Sequence, residues 1–176
     1  MKRPIVYHKR LWLLLALACA VSQTAETRAQ DLVLPLQPAP PPMVYIPEAA
    51  RTQLSSARDD KARTKLSLEL AEARLANAEQ QTAGKQFNAA TAELGVYQAL
   101  FEDALEHLHR RNDGGSRPRD LFKRLEQALN KHAARIEFMR RTTPGEFSGN
   151  LRTLLKHVRD LRTEALEAFY DTTVLE

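Results

Sequence analysis

From Glu48 onward the apolar residues of this chain recur three and four positions apart, and the rhythm breaks only where glycine or proline enters. That period gathers them on one face of a helix rather than on alternate sides of a strand. An all-α fold is therefore expected. Leu54, Ala57, Lys61, Thr64, Leu68, Ala71, Leu75 and Ala78 trace a first seam, on a helix expected from about Glu48 to Ala83. Lys61 and Thr64 dilute its first half, so that end is expected to project or fray, and Gly84 supplies a stop. A second helix is expected from about Lys85 to Arg111, with Phe87, Ala90, Leu94, Tyr97, Phe101, Ala104 and Leu108 on its seam.

The run NDGGS at 112–116 ends that helix, because glycine enters turn conformations at little steric cost. Pro118 suits the first turn of a third helix, expected over about 118–141 with Phe122, Leu125, Leu129, His132, Ile136 and Met139 facing inward. Thr143, Pro144 and Glu146 resemble a capping box. Gly149 disturbs the turn that follows, so the regular part of a fourth helix is expected nearer Leu151. Leu151, Leu154, Val158, Leu161, Ala165 and Ala168 form its seam, widened by Leu155 and Phe169. Short connections favour antiparallel neighbours, so residues 48–176 are expected to form an antiparallel up-down helical bundle of four helices with coiled-coil-like seams. A three-helix core with the first helix overhanging is the alternative. Charge follows the same division: residues 66–106 carry two basic and seven acidic residues, 107–141 ten and four, 142–176 four and six. Exposed pairs contribute only ~0–1 kcal/mol each, so the seams must carry stability while charge helps select register.

Two segments precede this body. Residues 30–47, QDLVLPLQPAPPPMVYIP, hold six of the nine prolines and read as an extended, polyproline-like linker that is disordered or offered to a proline-recognising receptor. Before it, Lys2, Arg3, Lys9 and Arg10 lead into an apolar run from Leu11 to Val21. That run spans ~16 Å as a helix, about half of a bilayer's hydrocarbon core. A basic head, a short apolar stretch and small residues match a secretory signal peptide over residues 1–29, cleaved after Ala29 or, alternatively, after Ala20. Sec-type export to the periplasm or medium is the expected route, with no stable membrane insertion after cleavage. A lipid anchor through Cys19 is the rival reading, but Leu17 occupies the position where a lipoprotein signal has a small residue.

Removing the leader changes the electrostatic picture. The chain has 26 basic and 22 acidic residues; residues 1–29 hold five and one of these, leaving 21 of each. A global case for nucleic-acid binding disappears with the leader. The sole cysteine goes too, which excludes a disulfide framework and thiolate metal sites.

The stretch GKQFNAATAELGVYQALFEDAL, residues 84–105, resembles the second helix of a tetratricopeptide hairpin, with a Gly-x-x-Phe opening before small and bulky residues at helical spacing. No second copy follows at a 34-residue period, whereas a repeat array needs several stacked units. The resemblance implies one helical hairpin. The whole organisation is also similar to exported all-helical bacterial proteins of unknown function, a similarity that implies no site residues.

Candidate chemistry is sparse. In FEDALEHLH, residues 101–109, Glu106 and His109 make a Glu-x-x-His pair with Glu102 one turn earlier. Such a face offers oxygen and imidazole ligands to iron or zinc, and His132 on the third seam is a further donor. Glu102, Glu106, His109 and His132 are therefore the candidate metal ligands, against a solvated acidic face as the ordinary reading. His157, three residues before Asp160, would join them if the histidines share one cross-helix site. Arg110, Arg111, Arg117, Arg119, Lys123 and Arg124 surround the glycine turn and form a candidate partner-binding band for an acidic group or protein. No nucleophile elbow, HExxH or phosphate-binding glycine loop is present, so no catalytic residue and no cofactor are assigned. The expected role is a non-enzymatic interaction or scaffold protein with a protein partner in the cell envelope. The seam along the first helix would pair equally well with a second copy, giving a homodimer. A metal-binding four-helix bundle is the alternative.

Overall fold

The computed structural model describes residues 37–112 and 118–170. Residues 1–36 with Cys19, residues 113–117 with Arg117, and residues 171–176 lie outside the described residues, so the expected signal peptide falls outside them. Five helices and no strand occur among the described residues: α1 (Glu48–Ser55), α2 (Asp60–Ala83), α3 (Phe87–Asn112), α4 (Arg119–Thr142) and α5 (Gly145–Tyr170). The fold is all-helical and bundle-like. No helix among the described residues is long and apolar enough to cross a membrane.

The first expected helix is two. Ser55 and Ser56 turn their hydroxyls back onto the carbonyls of Thr52 and Gln53, each at 2.8 Å. Such local bonds compete with the helical ladder. Asp59 then caps α2, its Oδ1 accepting the Ala62 amide at 2.7 Å. Arg63 holds the two pieces together, donating to the Leu54 carbonyl at 2.9 Å and to Asp103 on α3 at 2.8 Å.

Two other boundaries differ from expectation. α5 begins at Gly145, not near Leu151, because the Pro144 carbonyl accepts the amides of Phe147 and Ser148 and starts the ladder directly. Thr143 is not its cap; the hydroxyl bonds backward to Met139 O at 2.7 Å and closes α4. At the α2–α3 turn, Gly84 has φ −78° and the left-handed residue is Lys85, at φ 58°.

α2 and α3 form an antiparallel hairpin: Arg63 meets Asp103 and Arg74 meets Glu93, one number falling as the other rises. α4 and α5 form a second, closed by two residues and tied by Arg162 to Glu126 at 2.7 Å. Between hairpins the register runs in parallel. Glu72 and Glu79 of α2 meet His132 and Arg135 of α4, while Phe87, Glu102 and His109 of α3 meet Phe147, His157 and Glu164 of α5. Among the described residues α2 and α5 share no contact, and α3 faces α4 across the diagonal. Consecutive helices therefore do not follow one another around the bundle, as short loops alone would suggest.

That arrangement explains why α3 is buried beyond a single stripe. Leu94, Tyr97, Phe101, Ala104 and Leu108 face inward as expected, and Val96, Leu100 and Leu105 join them. The α4 seam is buried throughout, and most of the α5 seam with it. On α2 the buried positions include Thr64, Ser67 and Thr82 rather than Lys61 and Leu68. Each of these hydroxyls donates to the carbonyl four residues earlier, so no donor is stranded.

The proline-rich stretch, where described, is neither helix nor strand, and it is docked rather than free. Ala39 N–H donates to Glu146 O at 2.8 Å, and the Asn150 amide donates to Pro40 O at 2.8 Å. A Cβ at Gly95 of α3 would collide with the Met43 carbonyl and stand 3.1 Å from Pro42 Cβ, so the strap crosses α3 where no side chain is in the way. Residues 37–47 thus pack on the helical body instead of standing free as a disordered linker.

Adjacent residues on α4 test the register. Met139 is 2% exposed and Phe138 70%. Met139→Ala should cost ~2–5 kcal/mol in urea unfolding, whereas Phe138→Ala should change stability by less than ~0.5 kcal/mol.

Candidate functional site

Where α2, α3 and α4 converge, five polar side chains form one continuous network. α3 contributes Tyr97, α4 contributes His132 and Arg135, and α2 contributes Glu72 and Glu79. Tyr97 Oη lies 3.2 Å from His132 Nδ1, and His132 Nε2 lies 2.8 Å from Glu72 Oε2. Arg135 grips Glu79 through two nitrogens, at 2.7 and 2.6 Å, and also bonds Glu72. The Phe101 and His132 rings stand nearly perpendicular, 5.7 Å between centroids. Tyr97 is 0% exposed and His132 3%, so the apolar end of this network is sealed and its carboxylate end faces water.

Burial and the neighbouring charges select one protonation pattern. Burial pushes the Tyr97 hydroxyl far above its usual range, so it stays protonated. Burial also lowers His132, outweighing the opposing pull of Glu72, so the imidazole is neutral near pH 7. Burial works against ionisation of Glu72, but the Arg135 hydrogen bond and charge hold its carboxyl below the ordinary value. Arg135 is raised, first by its bonds to Glu79. A neutral imidazole has one donor nitrogen and one acceptor. Tyr97 O–H then donates to Nδ1, Nε2–H donates to ionised Glu72, and every partner is satisfied.

The network was invisible as a unit in the sequence. His132 stood out on its seam, but Glu72, Glu79 and Arg135 did not. The available signal was spacing: Glu72 and Glu79 are seven apart on α2, His132 and Arg135 three apart on α4, so each pair shares a face.

The expected metal ligands do not converge. Glu102 accepts from Gln98 at 2.9 Å and faces His157 Nε2 at 2.7 Å. Glu106 pairs with Arg110 on its own helix. His109 Nε2 faces Glu164 of α5 at 3.0 Å while its ring packs on Phe122, and His132 is enclosed by Tyr97 and Glu72. Neither His109 nor His157 aligns a hydrogen bond through Nε2, so each carboxylate is a near neighbour across α3 and α5 rather than a hydrogen-bonded partner. His107 reaches the other way, to Asp60 at 2.9 Å, and with Arg111 holds that carboxyl below its usual range. Asp160, expected opposite His157, instead takes Lys156 at 2.9 Å. Among the described residues no three His, Cys, Asp or Glu side chains gather as a metal site.

The basic band is divided between two supports. Arg110 and Arg111 are paired with Glu106 and Asp60. On α4, Arg119 and Lys123 lie over the Phe169 ring at 5.3 and 6.0 Å, a cation–π arrangement. Arg124 is exposed, and Arg117 lies outside the described residues.

No family model matches the chain, and no curated protein or solved structure is similar to it.

Tyr97→Phe would leave buried Nδ1 without its donor and should cost ~1–3 kcal/mol in urea unfolding. The depressed His132 also gives stability a pH slope. Below its ordinary value of 6.5 the unfolded chain takes up a proton that the folded chain refuses, so stability should fall as pH drops from 7 to 5.5. His132→Gln should remove most of that slope. Depressed Asp60 and Glu72 add a further loss only below their ordinary values of 3.8 and 4.5.

Proposed function

We propose that the chain is an exported, non-enzymatic interaction or scaffold protein, an antiparallel up-down bundle of four long helices delivered by a leader over residues 1–29. The observation that carries this reading is the closure of the polar network. Tyr97 and His132 have the chemistry for proton transfer, yet both are buried and bonded to each other, with the remaining imidazole nitrogen on Glu72. A group that exchanges protons with a substrate must reach it. Side chains spent on one another fix helix positions instead.

The features with unmet contacts point to a protein partner. Met43, Val44, Tyr45 and Phe138 are large apolar side chains at the surface, at 77, 44, 51 and 70% exposure. Aromatic and methionine side chains are enriched where proteins meet. The balance of 21 basic and 21 acidic residues beyond the leader gives no global attraction for nucleic acid. The band from Arg110 to Arg124 is then a local contact for an acidic partner.

Capture from the native cell envelope tests both parts. Protein recovered there should begin at Val21 or Gln30 by N-terminal sequencing, and partners held by the wild type should be lost when Arg110, Arg111 and Arg124 are changed to Glu. Met1 retained on a cytosolic species would overturn the export reading, and unchanged partners would remove the basic band from it.

A further inference from the structure

We propose that the groove between α3 and α5 is a binding site for an extended proline-rich segment of a partner protein, and that residues 37–47 are its resident, displaceable occupant. The inference rests on the interaction reading above and names the class of partner.

The groove recognises backbone. Glu146 O accepts the Ala39 amide at 2.8 Å, and Asn150 Nδ2 donates to the carbonyls of Ala39 at 3.4 Å and Pro40 at 2.8 Å. Polyproline backbone makes no internal hydrogen bonds, so its carbonyls remain available to such a donor. Pro47, at φ −57° and ψ 145°, ends the strap in that conformation. Gly95 completes the track, since any side chain there would strike the Met43 carbonyl. None of these contacts depends on strap side chains beyond the prolines that fix its path.

The resident also fits imperfectly. A cavity of about 220 Å³ remains beside Pro42 and Val44, floored by Leu94 and Leu154. The larger strap side chains, Met43 and Tyr45, are mostly in water. A segment with the same backbone and a bulkier apolar residue at the Val44 position would bury more surface. Tethering gives the resident an effective concentration of order millimolar. An identical strap from a second copy therefore competes poorly, and a better-filling partner segment is what displaces it.

Fluorescence anisotropy with a dye-labelled Gln37–Pro47 peptide and the full chain tests this. A chain loosened by Pro40→Gly, Pro41→Gly and Pro42→Gly should bind the peptide about tenfold tighter than wild type or more, because its groove is vacated. A peptide with Val44→Leu should bind about fourfold tighter than its parent. Adding Gly95→Val to the loosened chain should abolish binding. Equal binding by wild-type and loosened chains would overturn the proposal, as would binding that survives Gly95→Val. A dimer appearing by light scattering when the strap is loosened would also overturn it, since the occupant would then be a second copy. If the loosened chain does not fold, hydrogen exchange in wild type decides: the Ala39 amide should be protected and should exchange faster under saturating Val44→Leu peptide, and no acceleration would sink the idea. Failure here with envelope partners still captured removes the groove alone. Intact peptide binding with no envelope partner removes the cellular reading alone.

Discussion

A neutral imidazole between a buried phenol and a half-exposed carboxylate ties three helices of this protein together. His132 accepts a hydrogen bond from the Tyr97 hydroxyl on one side and donates one to Glu72 on the other, linking α3, α4 and α2. The bonds are directional, whereas the leucine seams around them tolerate sliding. A one-turn shift of α4 along α2 would separate Arg135 from Glu79 and leave His132 unsatisfied. The polar groups thus pin a register that apolar packing stabilises but does not uniquely choose.

The same network explains the unusual order of neighbours. Two hairpins, α2–α3 and α4–α5, stack in parallel, with Glu72 and Glu79 of α2 against Arg135 of the basic α4, and α3 against α5. α3 and α4, consecutive in the chain, consequently lie on a diagonal. α3 touches three helices and the strap, which is why its sequence holds buried residues on several sides and a glycine on the side where the strap crosses. The histidines fit the same logic: His107, His109, His132 and His157 each face a carboxylate on a different helix from their own.

Periodicity made much of this legible. The helical class, the seams of α3, α4 and α5 and the burial of His132 followed from three-four spacing. The split of the first helix was missed because Ser55, Ser56 and Asp59 act through hydrogen bonds to backbone, which an apolar pattern does not register. Spacing alone puts the start of α5 too late because Gly149 reads as a breaker, although a glycine in a packed helix costs only ~1 kcal/mol against alanine. The docked strap was unreadable from composition: prolines set its shape, but Gly95 and Asn150, which receive it, lie far beyond its end in the chain. Glu102, Glu106 and His109 lie one turn apart on α3, yet they face His157, Arg110 and Glu164 respectively, since their partners are decided by which groups lie opposite.

Nitrogen-15 NMR of the His132 imidazole addresses the pinning interaction most directly. The ring should be neutral at pH 7 and titrate below its ordinary value of 6.5, with its proton on Nε2 and Nδ1 shifted as an acceptor from Tyr97. A His132 that titrates above 6.5, or that carries its proton on Nδ1 when neutral, would contradict the hydrogen-bond pattern on which the register of the two hairpins rests.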